Sequence, residues 1–179
     1  MYKYCAVILL FFAIHPVAQE NNAKAITSKH FKRLYKVSDS VYRSEQPSKK
    51  GFTELEAIGV KTILNLRRLK DDNRKAKHTN LVLEHIRLKS KTVDQEDIIN
   101  ALKVIRDAEK PVLIHCWHGS DRTGVITAAY RIIFQDWTKE AAINELRQPE
   151  FGYHENWYPN LMELLNDLNI EQIKTELGI

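Results

Sequence analysis

The stretch that most constrains the fold of this 179-residue chain is a ten-residue segment, HCWHGSDRTG, at positions 115–124. It follows an apolar run, residues 111–114 (PVLI), that predicts a buried strand, and it precedes residues 125–133 (VITAAYRII), which predict a helix. A tight loop at such a junction directs backbone N–H groups and the positive end of the helix dipole at one point. The segment therefore predicts an anion-binding loop that also carries a thiol, Cys116, in an electropositive position.

The rest of the chain alternates between strand-like and helix-like segments. This alternation predicts an α/β domain with a central, mostly parallel sheet of four or five strands flanked by helices. The predicted strands are residues 34–37, 41–43, 60–66, 81–88 and 111–115, and the predicted helices are residues 48–58, 94–109, 122–135, 138–147 and about 155–176. In such sheets the ligand crevice lies at the carboxyl ends of the strands, where the 115–124 loop also falls.

The N-terminus has the pattern of a secretory signal peptide. Lys3 is followed by an uncharged, mostly apolar run over residues 4–14, and Ala18 is a small residue at a suitable cleavage position. The run is shorter than the roughly 20 apolar residues of a transmembrane helix. We therefore expect a signal peptide over residues 1–18, a polar lead-in over residues 19–33 and one domain over residues 34–179; an uncleaved anchor is the alternative.

The cysteine count makes one thiol conspicuous. The chain has two cysteines, and removal of the signal peptide would take Cys5 with it. Cys116 would then have no partner for an intramolecular disulfide. An unpaired cysteine in an exported protein is either buried and inert or retained for its reactivity.

The spacing of Cys116 and Arg122 suits chemistry on a phosphate group. A cysteine thiolate is a strong nucleophile that can attack phosphorus when the substrate is held in line. The backbone N–H groups of residues 117–122 can surround the phosphate oxygens, and the planar guanidinium of Arg122 can bind two of them. Gly119 permits a sharp turn, and Thr123 can donate a hydrogen bond to the sulfur as it leaves.

The remaining loop residues are predicted to bind substrate. They are Trp117, His118, Gly119, Ser120, Asp121 and Thr123. Trp117 and His118 are expected at the rim of the site, and the acidic Asp121 should disfavour highly charged ligands. His115 is expected to orient the loop from below rather than to act as a base.

The segment resembles the signature of the cysteine-dependent protein tyrosine phosphatase superfamily: His-Cys, five residues, Arg, Ser or Thr, and Gly. Every fixed position of that signature is matched within residues 115–124. Residues 41–47 (VYRSEQP), 59–67 (GVKTILNLR) and 137–141 (WTKEA) are similar to further segments of compact dual-specificity-like phosphatases. The resemblance covers roughly residues 34–168 and is nearest to the bacterial exported, periplasmic tyrosine phosphatases.

This resemblance implies a cysteinyl-phosphate mechanism that uses no metal or other cofactor. The implied substrate is a phosphorylated protein or peptide, with phosphotyrosine first and phosphoserine or phosphothreonine as further candidates. The implied location is the bacterial periplasm or the outside of the cell. We expect a monomer that is not inserted in the membrane once the signal is cleaved, and no nucleic-acid motif is present in the sequence.

The family also uses an aspartic acid, on a loop before the helix that precedes the catalytic strand, to protonate the leaving group. Asp94 and Asp97 are the candidates, and Asp94 is preferred because it lies at the predicted loop–helix junction. The structural alternative is that Asp94 is the N-cap of this helix, with Asp97 at its third position.

Four other functions of the 115–124 loop can be weighed against the phosphatase interpretation. A metal site formed by His115, Cys116 and His118 is disfavoured because adjacent residues of a strand point in opposite directions. A cysteine protease would leave Arg122 unexplained. A phospho-ligand binding module without turnover, or a phosphatase for inositol phosphates or phospholipids on the same fold, are the remaining alternatives.

The distribution of basic residues bears on whether the substrate is an inositol phosphate or a phospholipid. Phosphoinositide phosphatases resemble one another in carrying a lysine in this loop, and this chain has none there. A set of basic residues points the other way, although we interpret it as a solvated surface: Arg67, Arg68, Lys70, Arg74, Lys75, Lys77, Lys89 and Lys91. Arg43 either supports the loop from a neighbouring strand or lies on the surface.

Overall fold

The computed structural model describes residues 22–179, so the predicted signal peptide over residues 1–18 lies outside the described residues. The strands are β1 Lys24–Ala25, β2 Tyr35–Lys36, β3 Val41–Ser44, β4 Thr62–Asn65, β5 Val82–His85 and β6 Val112–His115. The helices are α1 Lys49–Ala57, α2 Asn73–Ala76, α3 Gln95–Asp107, α4 Asp121–Phe134, α5 Lys139–Leu146, α6 Asn160–Asp167 and α7 Ile170–Leu177. Short 3-10 turns occur at Ser90–Thr92 and Pro149–Phe151.

The strands form one sheet in the order β1-β2-β3-β6-β4-β5. The pairs β3–β6, β6–β4 and β4–β5 are parallel, whereas β1–β2 and β2–β3 are antiparallel. The predicted α/β class with a mostly parallel sheet is therefore confirmed. The strand number is six rather than four or five, because Lys24–Ala25, within the predicted lead-in, pairs with β2. A strand of two residues is too short to show a period of two in the sequence.

Strand β6 lies between β3 and β4, so the loop that follows it starts at the carboxyl end of a central strand. All four of its residues are buried, as expected for a parallel strand covered on both faces. Its last residue, His115, is in register with Ser44 at the end of β3 and with Asn65 at the end of β4. Cys116 therefore emerges between the carboxyl ends of two neighbouring strands.

Helix α4, which follows the loop, forms the centre of the helical layer. Twelve of its fourteen residues are buried, and a helix that is apolar on most sides belongs in a core. A Cβ at Gly124 would overlap the side chain of Leu146 from α5. The close approach of α5 to α4 fixes the helical end of the loop.

The C-terminal segment differs from its prediction. The single helix expected over about residues 155–176 is two helices, α6 and α7, and Trp157 lies in a turn before α6 rather than on a helix. Asn169 separates the two helices: its side chain accepts from Gln172 N as the N-cap of α7, while its own N–H donates to Gln95 Oε1. Of the helices in residues 22–179, none combines the length and apolar character that a membrane span requires.

Candidate active site

The loop after β6 turns tightly against the end of β3. Gly119 has a φ of +73°, and a Cβ at this position would lie 2.5 Å from the carbonyl oxygen of Ser44 and 2.6 Å from the amide nitrogen of Glu45. No side chain fits there, so glycine is required by both conformation and space. On the other side, the N–H of Gln46 donates to the carbonyl of Trp117 at 3.1 Å.

Buried polar atoms without protein partners are concentrated in this loop. Among residues 22–179, four buried side-chain nitrogen or oxygen atoms have no hydrogen-bond partner, and three of them are Ser120 Oγ, Arg122 Nε and Thr123 Oγ1. A buried polar atom without a partner costs free energy, so most are satisfied in native proteins. These three atoms belong to the loop that also carries the buried Cys116, and they are available to bind an oxygen-rich ligand.

Arg122 is held at one end by two strand-terminal carbonyls. Its Nη1 donates to the carbonyl of Leu66, after β4, at 3.2 Å and to that of Leu88, after β5, at 3.5 Å. These bonds orient the guanidinium while its Nε stays available. The predicted pairing of Cys116 and Arg122 in one loop therefore has a physical support on the neighbouring strands.

His115 lies directly behind Cys116 and is completely buried. Its Nδ1 is 3.0 Å from the carbonyl oxygen of Cys116, and its Nε2 is 2.8 Å from Oδ2 of Asp72. Both partners are acceptors, so the ring satisfies both only when both nitrogens carry protons. This arrangement fixes the imidazole ring between the backbone of Cys116 and the carboxylate of Asp72, and its predicted role in orienting the loop stays a prediction.

Asp72 balances this charge from the segment after β4. Burial alone would raise its pKa, but the hydrogen bond and charge of His115, together with a hydrogen bond from Gln46, hold the pKa below its ordinary value. Gln46 Nε2 donates to Asp72 Oδ1 at 2.8 Å, and Gln46 Oε1 accepts from Arg67. Sequence reasoning missed Asp72, because it is one acid in a charged segment and its partner is 43 residues away.

Arg43 supports the loop from β3, which decides between its two sequence interpretations. The side chain is buried, and its Nη2 donates to the carbonyl of Gly119 at 2.9 Å. Its guanidinium lies over the ring of Phe151 at 4.1 Å. Burial lowers the pKa of Arg43 to about 10, so the group stays charged at neutral pH.

Asp121 is engaged by a residue that the sequence analysis did not select. Its Oδ1 accepts from the backbone N–H of His154 at 3.0 Å, and Nδ1 of His154 is 3.1 Å from both carboxylate oxygens. The carboxylate is therefore directed at His154 rather than free for a ligand. The bond ties the segment before α6 to the start of α4, a relationship that spans 33 residues and has no local signal.

The two candidate acids, Asp94 and Asp97, form a capping box at the start of α3. Asp94 Oδ1 accepts from the N–H of Asp97 at 2.9 Å, and Asp97 Oδ2 accepts from the N–H of Asp94 at 3.3 Å. Burial is the main cause that raises the pKa of Asp97. The capping role weighed for Asp94 is thus present in the structure, and its role as an acid stays a prediction.

Most of the basic residues singled out in the sequence are exposed to solvent. Two have specific contacts: the guanidinium of Arg67 lies 4.4 Å from the ring centre of Trp117, and Lys75 Nζ donates to the carbonyl of Pro47 at 3.2 Å. The solvated interpretation therefore holds for the set except at these two positions.

Comparison with known proteins gives consistent matches. A family model described as the tyrosine phosphatase family matches residues 26–176. The dual specificity protein phosphatase TpbA of Pseudomonas aeruginosa is 34% identical over 122 residues, which cover 66% of this chain and 55% of that protein. An inositol diphosphatase of Arabidopsis thaliana is 31% identical over 127 residues, which cover 63% of this chain and 59% of that protein. The chain thus matches little more than half the length of these relatives.

Solved structures extend the likeness to the whole fold. The crystal structure of P. aeruginosa TpbA superposes with a TM-score of 0.80 at 26% identity, over 90% of this chain and 99% of that one. A cysteine-to-serine variant of the same protein, in complex with phosphotyrosine, superposes with the same TM-score and identity, over 98% of its chain.

Proposed function

This chain belongs to the tyrosine phosphatase family, and on that premise we propose that it hydrolyses phosphotyrosine in proteins, and phosphoserine or phosphothreonine as well. The reaction proceeds through a cysteinyl-phosphate intermediate and uses no metal or other cofactor. The observation that carries the proposal is the concentration of unpartnered buried polar atoms around Cys116, in a loop backed by the buried His115–Asp72 pair. The likeness to a phosphatase whose variant binds phosphotyrosine supports the choice of substrate.

In the first step the Cys116 thiolate attacks phosphorus. A sulfur–phosphorus bond forms while the phosphorus–oxygen ester bond breaks, and the leaving oxygen takes a proton from a general acid. The backbone N–H groups of residues 117–122 and Nε of Arg122 bind the three equatorial oxygens, on which negative charge accumulates. Support for this assignment comes from the position of the loop that begins at Cys116 directly before the N-terminus of α4, because a helix N-terminus favours bound anions.

We assign the general acid to Asp94, with Asp97 as the alternative. Their position at the start of α3, the helix that precedes β6, supports the assignment. The raised pKa of Asp97 favours this alternative, because a general acid must carry a proton before it reacts. The carboxylate of Asp94 accepts a hydrogen bond from the N–H of Asp97 in the structure. Asp94 must therefore exchange this capping bond for the leaving oxygen when substrate is bound.

In the second step a water molecule attacks phosphorus and displaces Cys116. The carboxylate that lost its proton in the first step accepts a proton from this water, and inorganic phosphate leaves. Thr123, whose hydroxyl has no protein partner, donates to the departing sulfur.

A second candidate function is hydrolysis of inositol phosphates on the same fold. The 31% identity with an inositol diphosphatase of A. thaliana favours it. The absence of a lysine in the loop argues for a phosphate monoester on protein instead. A phospho-ligand binding module without turnover is disfavoured because Cys116 and Arg122 are both present.

We further propose that the protein is exported, to the bacterial periplasm or out of the cell, after removal of residues 1–18, and that it acts as a monomer. The charged, apolar and small-residue pattern of the N-terminus supports export. N-terminal sequencing of the protein recovered from an export-competent bacterium tests the cleavage after Ala18. A chain that begins at Met1 would contradict it.

The activity is tested by phosphate release from a phosphotyrosine peptide, matched phosphoserine and phosphothreonine peptides, and soluble inositol phosphates. We expect the phosphotyrosine peptide to be the best substrate and Cys116→Ser to abolish all turnover while the unfolding transition is retained. Cys5→Ser is the matched control and should be as active as the native chain. Turnover by Cys116→Ser would overturn the mechanism, and preference for the inositol phosphates would overturn the substrate class.

A further inference from the structure

Two arginines hold consecutive backbone carbonyls of the catalytic loop. Arg33 Nη1 donates to the carbonyl of His118 at 3.2 Å, and Arg43 Nη2 donates to the next carbonyl, that of Gly119, at 2.9 Å. In a planar trans peptide unit the C=O and N–H groups point in opposite directions. These two bonds therefore direct the N–H groups of Gly119 and Ser120 away from the arginines.

These two N–H groups are not used by the backbone of the protein. Gly119 and Ser120 are buried, yet neither N–H donates to a backbone carbonyl of residues 22–179. Most buried N–H groups in native proteins have an acceptor. Successive N–H groups that face the same way form a concavity that binds anions. Both groups are therefore available to the oxygens of the phosphate that the loop is proposed to bind.

Arg33 is fixed in position by the turn over residues 149–152. Its Nε donates to the carbonyl of Glu150 at 3.3 Å, so one guanidinium joins the turn to the catalytic loop. Gly152 has a φ of +62°, and a Cβ at this position would lie 2.7 Å from Arg33 Nη2 and 3.3 Å from Ser120 Oγ. Because Gly152 has no side chain, the turn, the guanidinium and the loop can meet.

The segment that carries Arg33 is anchored directly before this residue. Phe31 is buried, and the backbone N–H of Lys32 donates to Oε1 of Glu45 at 2.9 Å. Residues 22–33, the described part of the predicted lead-in, thus contribute a contact to the proposed catalytic loop.

We propose that Arg33 is a positioning residue for the reaction: by fixing the carbonyl of His118, it presents the N–H of Gly119 to an equatorial oxygen of the transferred phosphoryl group. This inference rests on the proposed function and extends it to the segment before β2. Donors that are aimed before the substrate arrives do not need to reorganise as charge develops. The planar guanidinium suits this role, because its Nε and Nη1 reach two carbonyls at once.

The first test replaces Arg33 and measures both turnover and oxyanion binding. Arg33→Ala should lower kcat/KM for a phosphotyrosine peptide roughly tenfold, the effect of one hydrogen bond from a charged donor. The tungstate concentration that protects Cys116 from iodoacetamide should rise by a similar factor. Alkylation without tungstate should keep its native rate, because this neutral reagent does not use the loop N–H groups. Lys32→Ala is the matched control and should match the native chain, because it removes a neighbouring positive charge but keeps the backbone bond to Glu45.

A second pair of variants displaces the Arg33 guanidinium without removing its charge. Gly152→Ala places a methyl group against Arg33 Nη2, so it should reproduce the losses of Arg33→Ala and should add little to them in the double variant. Gly178→Ala is the control, because Gly178 has a φ of +68° but nothing else in residues 22–179 comes within 4 Å of its Cβ position. It should keep native turnover. This pair decides the question if Arg33→Ala does not fold.

The protection measurement separates the role of Arg33 from the proposed activity. If the native chain hydrolyses no phosphopeptide, but tungstate protects Cys116 and Arg33→Ala weakens this protection about tenfold, the activity fails and the role of Arg33 stands. If the native chain is active and Arg33→Ala equals it in turnover and in protection, the role is overturned. An equal loss in Lys32→Ala would also overturn it, in favour of a general effect of positive charge.

Discussion

The carboxylate of Asp72 lies 2.8 Å from Nε2 of His115, and the other nitrogen of that ring lies 3.0 Å from the carbonyl oxygen of Cys116. All three residues are buried. The chain therefore places a buried histidine–aspartate pair behind the proposed nucleophile, although the two partners are 43 residues apart in the sequence.

We predict that Asp72 positions His115 behind Cys116, and that this role can be measured through the reactivity of the Cys116 thiol. A carboxylate beside an imidazole favours the protonated ring, so its replacement in Asp72→Asn should reduce the positive charge available to stabilise a thiolate at Cys116. We expect the rate of iodoacetamide alkylation of Cys116 at pH 6 to fall roughly tenfold, with a smaller loss at pH 9, where a thiolate forms readily. Asp71→Asn is the control, because Asp71 is exposed and its side chain bonds, among the described contacts, only to the N–H of Asn73 two residues along the chain. Equal alkylation in the two variants would contradict the role of Asp72.

The same residue predicts a pH dependence of stability. The folded pKa of Asp72 is held below its ordinary value, so its interactions stabilise the native state fully at pH values above the unfolded pKa of about 3.9. This stabilisation is lost as the pH falls through the lower, folded pKa. In urea titrations from pH 6 to pH 3, the native chain should lose more free energy of unfolding than Asp72→Asn. Parallel curves for the two chains would show that Asp72 does not contribute in this window.

A comparison of alanine substitutions at Gly119 and Gly59 separates the cost of steric overlap from the cost of a positive φ, because both residues have a positive φ but only Gly119 has atoms close to its Cβ position. Gly119→Ala places a methyl group 2.5 Å from the Ser44 carbonyl at a φ of +73°, so β3 and the loop must move apart. We expect turnover to be abolished and the free energy of unfolding to fall by more than the ~1–3 kcal/mol of backbone strain alone. Gly59→Ala is the matched control, because Gly59 has a φ of +92° but no atom near its Cβ position. It should show the strain cost with turnover retained, and an active Gly119→Ala would contradict the close approach.

The general acid is identified by the dependence of the rate on the leaving group. Asp94→Asn should lower kcat about 100-fold for an alkyl or unsubstituted phenyl phosphate, and much less for nitrophenyl phosphate, whose oxygen leaves without a proton. Asparagine is as good an N-cap as aspartate, so the unfolding transition should change little. The same measurement on Asp97→Asn is the comparison. If that variant shows the steeper dependence, Asp97 is the acid.

Removal of one partner from the buried ion pair between α4 and α5 should be strongly destabilising. Arg131 donates to Glu145 from Nε at 3.0 Å and from Nη2 at 2.6 Å, and both side chains are buried. Removing one partner leaves the other charge buried without compensation, so Glu145→Gln should lower the free energy of unfolding by roughly 3–5 kcal/mol. Glu155→Gln removes the exposed partner of Arg147 and should cost less than about 1 kcal/mol. Similar costs measured by denaturant unfolding would contradict this account.

Much of the fold could be predicted from local patterns. The apolar run of β6, the buried helix α4 and the loop between them are contiguous in the sequence, so the position of Cys116 at a strand end follows from residues 111–133 alone. The errors lie where the local signal is weak or ambiguous. Lys24–Ala25 is too short to show strand periodicity, and the apolar spacing of residues 155–176 continues across the break that Asn169 makes between α6 and α7.

The sequence by itself placed the proposed nucleophile Cys116, the arginine Arg122 and the glycine turn at Gly119 in one loop, because these residues lie within ten positions of one another. Only the tertiary structure decided which residues support that loop. Asp72, Arg43 and His154 reach it across separations of 43, 76 and 33 residues. Such contacts depend on the order of strands in the sheet and on where the chain turns after α5. The sequence around a charged residue is the same whether its side chain is solvated or packed against a buried partner. Only the tertiary structure therefore shows which of the two applies.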